Sequence, residues 1–279
     1  MLETGAGAFV LTHDMIVEGV HYLPDDPPAD VAWKLVAVNL SDLAAKGARP
    51  MGVLLGFTLG DVAWDKAFAE GLGHVLGAFG ISLLGGDTVS APTRVLGLTA
   101  IGQAKRVPPN RSGARPGDQL WVTGTIGDAG AGLRALLDGA EAPELIERYR
   151  NPRPRLEAGE RLVPLVRAMM DVSDGLLIDT RRMADASGCR ATIDLDTVPL
   201  SEAYRGYAGE SRLEAATAGD DYELLFAAAP DLAPAILALS EELGLPFTRI
   251  GAFATGSGLA LTENGAPIPL PERLGFEHG

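Results

Sequence analysis

Cysteine, lysine and aromatic residues are scarce in this sequence of 279 residues. The single cysteine, Cys189, excludes an internal disulfide, and no Cys-x-x-Cys motif or Cys/His cluster indicates zinc. A lysine-rich phosphate-binding loop is not available either, because the only lysines are Lys34, Lys46, Lys66 and Lys105. Aromatic residues make up 6%, which is low for a sugar-binding surface and disfavours a glycosidase that uses paired carboxylates.

Long apolar runs and an excess of basic residues are also absent. Glycine interrupts the apolar stretches before they reach the roughly 18 residues of a membrane span. The first ten residues lack the basic region that begins a signal peptide. The formal net charge of -14 and the pI near 4.7 argue against nucleic acid or an anionic membrane as partner. We therefore expect a cytoplasmic protein that acts on small molecules.

Several catalytic motifs are missing as well. The chain has no G-x-x-x-x-G-K-[ST] loop, no set of protein-kinase motifs and no G-x-S-x-G, which argues against P-loop enzymes and serine hydrolases. Residues 120–133, LWVTGTIGDAGAGL, change from a strand into a helix, but their glycines do not fit G-x-G-x-x-G. Tight packing and anion binding at the start of that helix both remain open.

Strand and helix patterns alternate along the chain and predict an α/β layer. In the first half we predict strands at 8–17, 53–59, 82–84 and 95–104, and helices at 29–46 and 63–79. In the second half we predict strands at 119–123, 191–195, 224–228 and 247–252, helices near 133, at 162–170, at 183–187 and at 230–243, and a terminal hairpin from 256. Residues 106–118, rich in Pro, Gly and Arg, indicate a boundary between domains at 1–110 and 111–279.

The predicted helix at 29–46 carries a carboxylate, Asp42, on the side that should be packed. Apolar residues recur along it at helical spacing, and Gly47 followed by Pro50 ends it near Lys46. Asn39 and Asp42 are three residues apart and share one side of the helix. Burying an unpaired carboxylate costs several kcal/mol. Asp42 is therefore either solvated, paired with a cap or an Arg, or bound to a metal ion.

Short aspartate motifs recur at the ends of the predicted elements. They are THD, NLSD, LLGGDT, DVSDG and AGDDYE, with carboxylates at positions 14, 42, 87, 171, 174, 220 and 221. Singly, each motif is compatible with a turn or a helix cap. Together they supply the hard oxygen ligands that suit Mg²⁺. Because Mg²⁺ takes only one or two protein carboxylates, so many of them indicate several Mg²⁺ ions shared with a polyphosphate.

Seven longer motifs extend in order over almost the whole chain: THDMIVEGVHYL, NLSDLAAKGARP, LLGGDT, NRSGARPGD, VTGTIGDAGAGL, DVSDGLLIDT and AGDDYELLF. This set resembles the thiamine-monophosphate kinase family, which belongs to the ATP-binding superfamily of aminoimidazole ribonucleotide synthetase. The resemblance implies an α/β (α+β) fold of two domains, in which an N-terminal sheet-and-helix domain forms a homodimer and an α/β domain follows. It implies that ATP phosphorylates thiamine phosphate to thiamine diphosphate.

The resemblance also implies roles for individual residues. The Mg²⁺ ligands would be Thr12, Asp14, Asp42, Asp87, Asp171 and Asp174. Contacts with ATP would come from Gly86, Asp87, Arg111 and Ser173, and contacts with thiamine phosphate from His21, Asp220 and Phe276. No general base is implied, because the second pKa of a phosphate group is about 6 and the acceptor is already an anion at neutral pH. Catalysis would then consist of alignment and charge neutralisation during in-line transfer.

Three departures from the family pattern accompany this resemblance. The Gly-Asp-Asp loop that most members carry just before the THD strand would fall before Met1, and it would supply further metal ligands. His13 stands where Ser or Thr is usual, and Asp220 where Glu is frequent. The alternatives are therefore another ATP-dependent phosphotransferase of the superfamily, or a protein that binds nucleotide or thiamine phosphates without turning them over.

Overall fold

The computed structural model describes residues 2–4 and 7–277. The first sheet consists of β1 (Leu2–Thr4), β2 (Gly7–Val17), β3 (Ala48–Leu59), β4 (Ser82–Ser90) and β5 (Val95–Ala104). Its order is β1-β2-β5-β3-β4, with β3 and β4 parallel and the other neighbours antiparallel. Two helices, α1 (Pro28–Ala45) and α2 (Val62–Phe79), share one apolar core with this sheet.

The second sheet consists of β6 (Gln119–Thr123), β7 (Ala168–Asp171), β8 (Arg190–Asp194), β9 (Leu224–Ala228), β10 (Phe247–Ala254), β11 (Gly258–Glu263) and β12 (Ala266–Ile268). Its order is β12-β11-β8-β10-β6-β9-β7, and only β8 and β11 are parallel. The helices of this half are α3 (Asp128–Asp138), α4 (Pro143–Arg150), α5 (Leu156–Leu162), α6 (Leu176–Ser187), α7 (Glu202–Ala208), α8 (Arg212–Thr217) and α9 (Ala233–Leu243). The predicted fold class, α/β (α+β), is confirmed. The division at residue 110 stays a prediction.

Helix α1 lies between the two sheets. It begins with proline, whose missing N–H costs nothing in a first turn, and the left-handed backbone at Gly47 follows its end, as predicted. On one side α1 packs against β2, β3 and β5, and on the other it contacts α4, α5 and β7. Leu35 and Leu40 belong to the core of the first sheet, whereas Ala44 and Ala45 pack in a core of the second. Side chains of α1 therefore reach both halves of the protein.

Two sequence predictions of local structure were wrong. The helix predicted at 162–170 is the end of α5 followed by strand β7, whose four residues are all buried. Pro164 disfavours a continuous helix, and a short apolar run fits a buried strand as well as a helix. The strand predicted at 82–84 continues to Ser90, so Asp87 lies within a strand and not at a turn. Helices α4, α7 and α8 were not predicted, because six to eight residues are too few to display a helical period.

The side of the first sheet that faces away from α1 carries exposed apolar side chains. We call this side the exposed sheet face and define it by Leu11, Met15, Leu54 and Leu84, which are between 40% and 57% exposed. His13 lies on it as well, with Nδ1 2.9 Å from the Thr99 hydroxyl. Because side chains alternate along β2, Thr12 and Asp14 face the opposite side, toward α1. Among the described residues, no helix combines the length and the apolar character needed to cross a membrane.

Candidate active site

A cavity of about 760 Å³ is lined by residues from both halves of the protein. Most of the residues singled out from the sequence line it, namely Asp14, His21, Asp42, Asp171, Ser173, Asp174, Asp220 and Phe276. They come from β2, the loop after it, α1, the end of β7, the loop between β7 and α6, the loop before β9 and the C-terminal segment. The chain therefore brings distant carboxylates into one concave site next to apolar side chains such as Val38 and Leu133.

The other predicted site residues lie outside the cavity lining. Thr12 lies directly behind it, since its hydroxyl donates a hydrogen bond to Asp42. Gly86 and Asp87 are exposed on β4, the edge strand of the first sheet. Arg111 is exposed on the connection between β5 and β6, and its backbone carbonyl accepts a hydrogen bond from the Ser187 hydroxyl. The cavity gives no test of the ATP contacts expected of Gly86, Asp87 and Arg111, which stay predictions.

Asp42 is half-buried on the packed side of α1, as the helical spacing predicted. Its Oδ2 atom accepts a hydrogen bond from the hydroxyl of Thr12 on β2. A side-chain hydroxyl of the neighbouring strand was not among the partners expected for this carboxylate, yet it is the donor that the structure provides. Such a donor satisfies one lone pair but does not neutralise the charge, so Asp42 remains suited to bind a cation.

Asp171 ends β7 and is buried against α1. The hydroxyl of Ser41 on α1 donates a hydrogen bond to its Oδ2 atom at 2.6 Å. Burial raises the pKa of Asp171 well above the usual value of an aspartate, the negative charge of Asp42 raises it further, and the Ser41 hydrogen bond lowers it. The two carboxylates are thus close enough to repel each other, and Ser41 opposes part of that cost.

Asp14 lines the same cavity as Asp42, Asp171 and Asp174, and we call these four carboxylates the acidic group. Burial, followed by the charge of Asp42, raises the pKa of Asp14 to about 6, and Asp174 also raises it. Its backbone N–H donates to the side-chain oxygen of Asn39 at 3.1 Å, and Asn39 in turn donates to a carbonyl of α1. Asn39 therefore fixes the position of the strand that carries Asp14 relative to the helix that carries Asp42.

The loop between β7 and α6 holds Ser173 and Asp174. Their side chains do not cap α6, whose N-cap is Gly175 without a side-chain hydrogen bond. Instead, the buried carboxylate of Asp179, in the first turn of α6, accepts hydrogen bonds from the backbone N–H groups of both residues at 3.1 Å. Arg182 forms ion pairs with Asp174 and Asp179. Sequence reasoning assigned no role to Asp179, although the DVSDGLLIDT motif contains it.

The donor chemistry of this acidic group fits Mg²⁺. Asp14, Asp42, Asp171 and Asp174 supply carboxylate oxygens. Burial and then the charge of Asp42 raise the pKa values of Asp14 and Asp171, so a bound cation would stabilise the ionised form of both. Within residues 2–4 and 7–277, no three His, Cys, Asp or Glu side chains converge closely enough to hold a metal ion alone. Mg²⁺ does not require such a group, because it is usually held by one or two carboxylates together with water and substrate phosphates.

Lys46, at the end of α1, is a cation that sequence reasoning left without a role. Its ammonium group donates to the carbonyl of Pro109 at 3.3 Å. Burial lowers the pKa of Lys46, the charges of Asp42 and Asp171 raise it, and Arg111 lowers it. Two cations, Lys46 and Arg111, therefore lie near the acidic group on the side of residues 105–118.

Another part of the cavity is less acidic. The Nδ1 atom of His21 accepts a hydrogen bond from the backbone N–H of Val17 at 3.1 Å, so a neutral His21 carries its proton on Nε2. Phe276 is 45% exposed, and its backbone N–H donates to the carbonyl of Asp174 at 2.8 Å. Asp220 pairs with Lys34 of α1, at 2.8 Å. These three residues present an imidazole, an aromatic ring and a paired carboxylate to the same cavity.

Comparison with known proteins defines the class first. The family model of the AIR synthase related protein, N-terminal domain, matches residues 2–104, and that of the C-terminal domain matches residues 115–263. The fold alone is also similar to that of HypE, a hydrogenase maturation protein of E. coli, with a TM-score of 0.81 at 23% identity. That structure covers 96% of this chain and 87% of its own.

Proteins with higher sequence identity to this chain define the family within this class. Thiamine-monophosphate kinase of Escherichia coli (strain K12) is 40% identical over 96% of this chain and 86% of its own, and that of Caulobacter vibrioides is 41% identical over 97% and 80%. The crystal structure of thiamine-monophosphate kinase from Stenotrophomonas maltophilia has a TM-score of 0.87 at 39% identity, covering 94% of this chain and 87% of its own. The chain belongs to the thiamine-monophosphate kinase family.

Proposed function

We propose that this chain transfers a phosphoryl group from ATP to thiamine phosphate, which gives ADP and thiamine diphosphate. The observation that carries this proposal is the meeting of the acidic group with His21, Asp220 and Phe276 in one cavity. Family membership supports the same activity, and so does a related structure, AaThiL complexed with AMPPCP and TMP. It has a TM-score of 0.86 at 29% identity and covers 98% of this chain and 89% of its own.

The residues of the cavity suit a transfer that needs no general base. A phosphate monoester has a second pKa of about 6, so at neutral pH the acceptor oxygen is already deprotonated. The barrier then arises from bringing two negatively charged phosphate groups together and aligning them in line. Accordingly, we assign no catalytic proton transfer to His21. It would instead contact thiamine phosphate, together with Asp220 and Phe276, which line the same cavity.

We further propose that Asp14, Asp42, Asp171 and Asp174, with Thr12 and Asp87, hold Mg²⁺. The bound ions would neutralise the phosphates of both substrates. The raised pKa values of Asp14 and Asp171 support this assignment, since each carboxyl is costly to ionise until a cation is near. Thr12 would act through Asp42, which accepts its hydrogen bond. Asp174 would share its oxygens between the metal and Arg182.

For ATP we propose contacts with Gly86, Asp87, Arg111 and Ser173. Ser173 lines the cavity, whereas Gly86 and Asp87 lie on the exposed strand β4. A homodimer formed through the exposed sheet face would cover its apolar side chains, which monomers seldom leave in one large patch. The buried, unpaired thiol of Cys189 is compatible with the cytoplasm, where we propose that the protein acts.

The test is to measure ADP and thiamine diphosphate after incubation with ATP and thiamine phosphate. We expect both products in equal amounts with Mg²⁺ and neither with EDTA. Asp231→Asn, at an exposed position outside the cavity, is the control and should behave as the wild type. ADP without thiamine diphosphate, or no product with Mg²⁺, would contradict the proposed activity.

A further inference from the structure

The ammonium group of Lys34 is buried behind the cavity. Its Nζ atom lies 2.8 Å from Oδ2 of Asp220 and 3.8 Å from the centre of the Tyr149 ring. The side chain of Lys34 is 3% exposed, whereas that of Asp220 is 31% exposed and lines the cavity with Tyr149. The Lys34 cation thus faces protein on all sides, whereas its partners Asp220 and Tyr149 face the substrate space.

The backbone that carries Asp220 is held in an uncommon conformation. Asp220 and Tyr222 have φ of 70° and 51°, in the left-handed region that residues with a Cβ rarely occupy. Backbone hydrogen bonds from both residues to carbonyls of the β7–α6 loop, each 2.8 Å long, fix them there. The Tyr222 hydroxyl donates to Oδ1 of Asp220 at 3.2 Å. Each oxygen of Asp220 therefore has a donor from the protein, and each keeps a further lone pair.

The ion pair changes what Asp220 offers to a ligand. An unpaired carboxylate would attract a cation by its net charge, but Lys34 compensates that charge at a distance of one hydrogen bond. Little net field remains at the cavity from a pair of opposite charges so close together. What remains is an oriented hydrogen-bond acceptor at a fixed position. Such an acceptor suits an N–H donor on a heterocycle more than a ring that bears a positive charge.

On the basis of the proposed function, we propose that Lys34 is a positioning residue that fixes Asp220 and cancels its charge. Asp220 then contacts the organic part of thiamine phosphate by hydrogen bonding and not by attraction of the thiazolium cation. Lys34 does not line the cavity itself. In this proposal it nevertheless controls the charge selectivity at Asp220, which does line it. A purely structural ion pair would affect stability but not that selectivity.

The experiment compares two ligands on the full chain. One is thiamine phosphate, and the other is its uncharged analogue with a thiophene ring in place of the thiazolium. Titration calorimetry without ATP gives the ratio of the two dissociation constants for the wild type, Lys34→Met, Lys34→Arg and Lys34→Met/Asp220→Asn. We expect Lys34→Met to shift the ratio toward the cation by about tenfold or more, because it exposes the Asp220 charge. Lys34→Arg and the double variant should return the ratio to near the wild-type value.

An unchanged ratio in Lys34→Met, in a protein that still unfolds cooperatively, overturns the inference. So does a shift that persists in the double variant, since it could not then come from Asp220. If Lys34→Met does not fold, Lys34→Gln keeps a donor to Asp220 without the charge and gives the same comparison. Failure of the wild type to bind thiamine phosphate would instead overturn the proposed function, and this inference with it.

Discussion

The hydroxyl of Ser41 donates a hydrogen bond to the buried carboxylate of Asp171, and this 2.6 Å contact joins helix α1 to the end of β7. Ser41 is itself fully buried, so water does not replace it. Hydrogen bonds to charged groups contribute about 1.5–3 kcal/mol, more than those between neutral groups. The contact therefore favours the ionised form of Asp171, which is the form that binds a cation.

Replacement of Ser41 by Ala should make ionised Asp171 harder to form. The pKa of Asp171, already raised by burial, should rise further, because the hydrogen bond that lowers it is lost. We expect the acid limb of the profile of kcat/KM against pH to move to higher pH, and the Mg²⁺ requirement at pH 7 to rise about tenfold. Activity assays at pH 6 to 9 over a range of Mg²⁺ concentrations measure both effects.

Thr180→Val is the matched control for this variant. Its hydroxyl is buried in α6 without a hydrogen-bond partner among the described residues, so its removal deletes a buried oxygen but no contact. We expect the wild-type pH profile. If Ser41→Ala also retained that profile and the wild-type Mg²⁺ requirement, the contact would have no part in ionising Asp171.

Asp42→Asn tests the central carboxylate of the acidic group. We expect a loss of activity of about a hundredfold or more, because a metal-held phosphate relies on several kcal/mol of charge stabilisation. The metal-free variant should be as stable as the wild type or slightly more so, since Asp42 raises the pKa of both Asp14 and Asp171 by repulsion. Kinetics at limiting Mg²⁺ and urea unfolding in EDTA measure these effects. Equal activity of the two proteins at limiting Mg²⁺ would exclude Asp42 as a ligand.

The sequence allowed the acidic group to be predicted because its residues sit in short motifs next to elements with clear periodicity. The spacing in α1 placed Asp42 on the packed side, and the structure has it there. The partners of these residues could not be predicted in the same way. Ser41 contacts Asp171, and Lys34 contacts Asp220, across more than a hundred residues of chain. Such pairs depend on how the two sheets pack around α1, which no local pattern encodes.

The extent of β4 was missed for a related physical reason. Its residues are all exposed, so they lack the alternation of buried and exposed side chains by which a strand is recognised. A glycine pair followed by Asp87 favoured a turn. In the structure a Cβ on Gly86 would lie 2.0 Å from the carbonyl oxygen of Leu55, so close strand packing accounts for this glycine without any ligand.

The stability of the metal-free protein should depend on pH through Asp14. Its pKa is about 6 in the folded protein, against 3.8 as the ordinary value. Between these two pH values the folded state binds more protons than the unfolded state, so the free energy of unfolding falls as the pH rises from about 4 to above 6. Asp14→Asn has no carboxyl group at this position, so this loss of stability at higher pH is absent from the variant. In EDTA we expect it to exceed the wild type in stability by about 2–3 kcal/mol at pH 7.5 and by little near pH 4.

Urea unfolding of both proteins at pH 4.5, 6 and 7.5 gives this difference directly. Other carboxyl groups titrate in the same range in both proteins, and the contributions of those distant from Asp14 cancel in the comparison. Addition of Mg²⁺ with nucleotide at pH 7.5 should reverse the order, because only the wild type keeps the Asp14 ligand. A difference that stays constant with pH would mean that Asp14 titrates in the folded protein as it does in the unfolded chain.

We expect the exposed sheet face to form the dimer interface. Leu54 and Leu84 lie side by side on it, on the neighbouring strands β3 and β4. A glutamate at either position would have to lose water when the face is covered by a second chain, at a cost of several kcal/mol. We expect Leu54→Glu and Leu84→Glu to be monomers by light scattering at micromolar concentration, while the wild type is a dimer. Leu137→Glu, at a more exposed leucine on α3, should remain dimeric. A monomeric wild type, or dimeric Leu54→Glu and Leu84→Glu, would exclude this face as the interface.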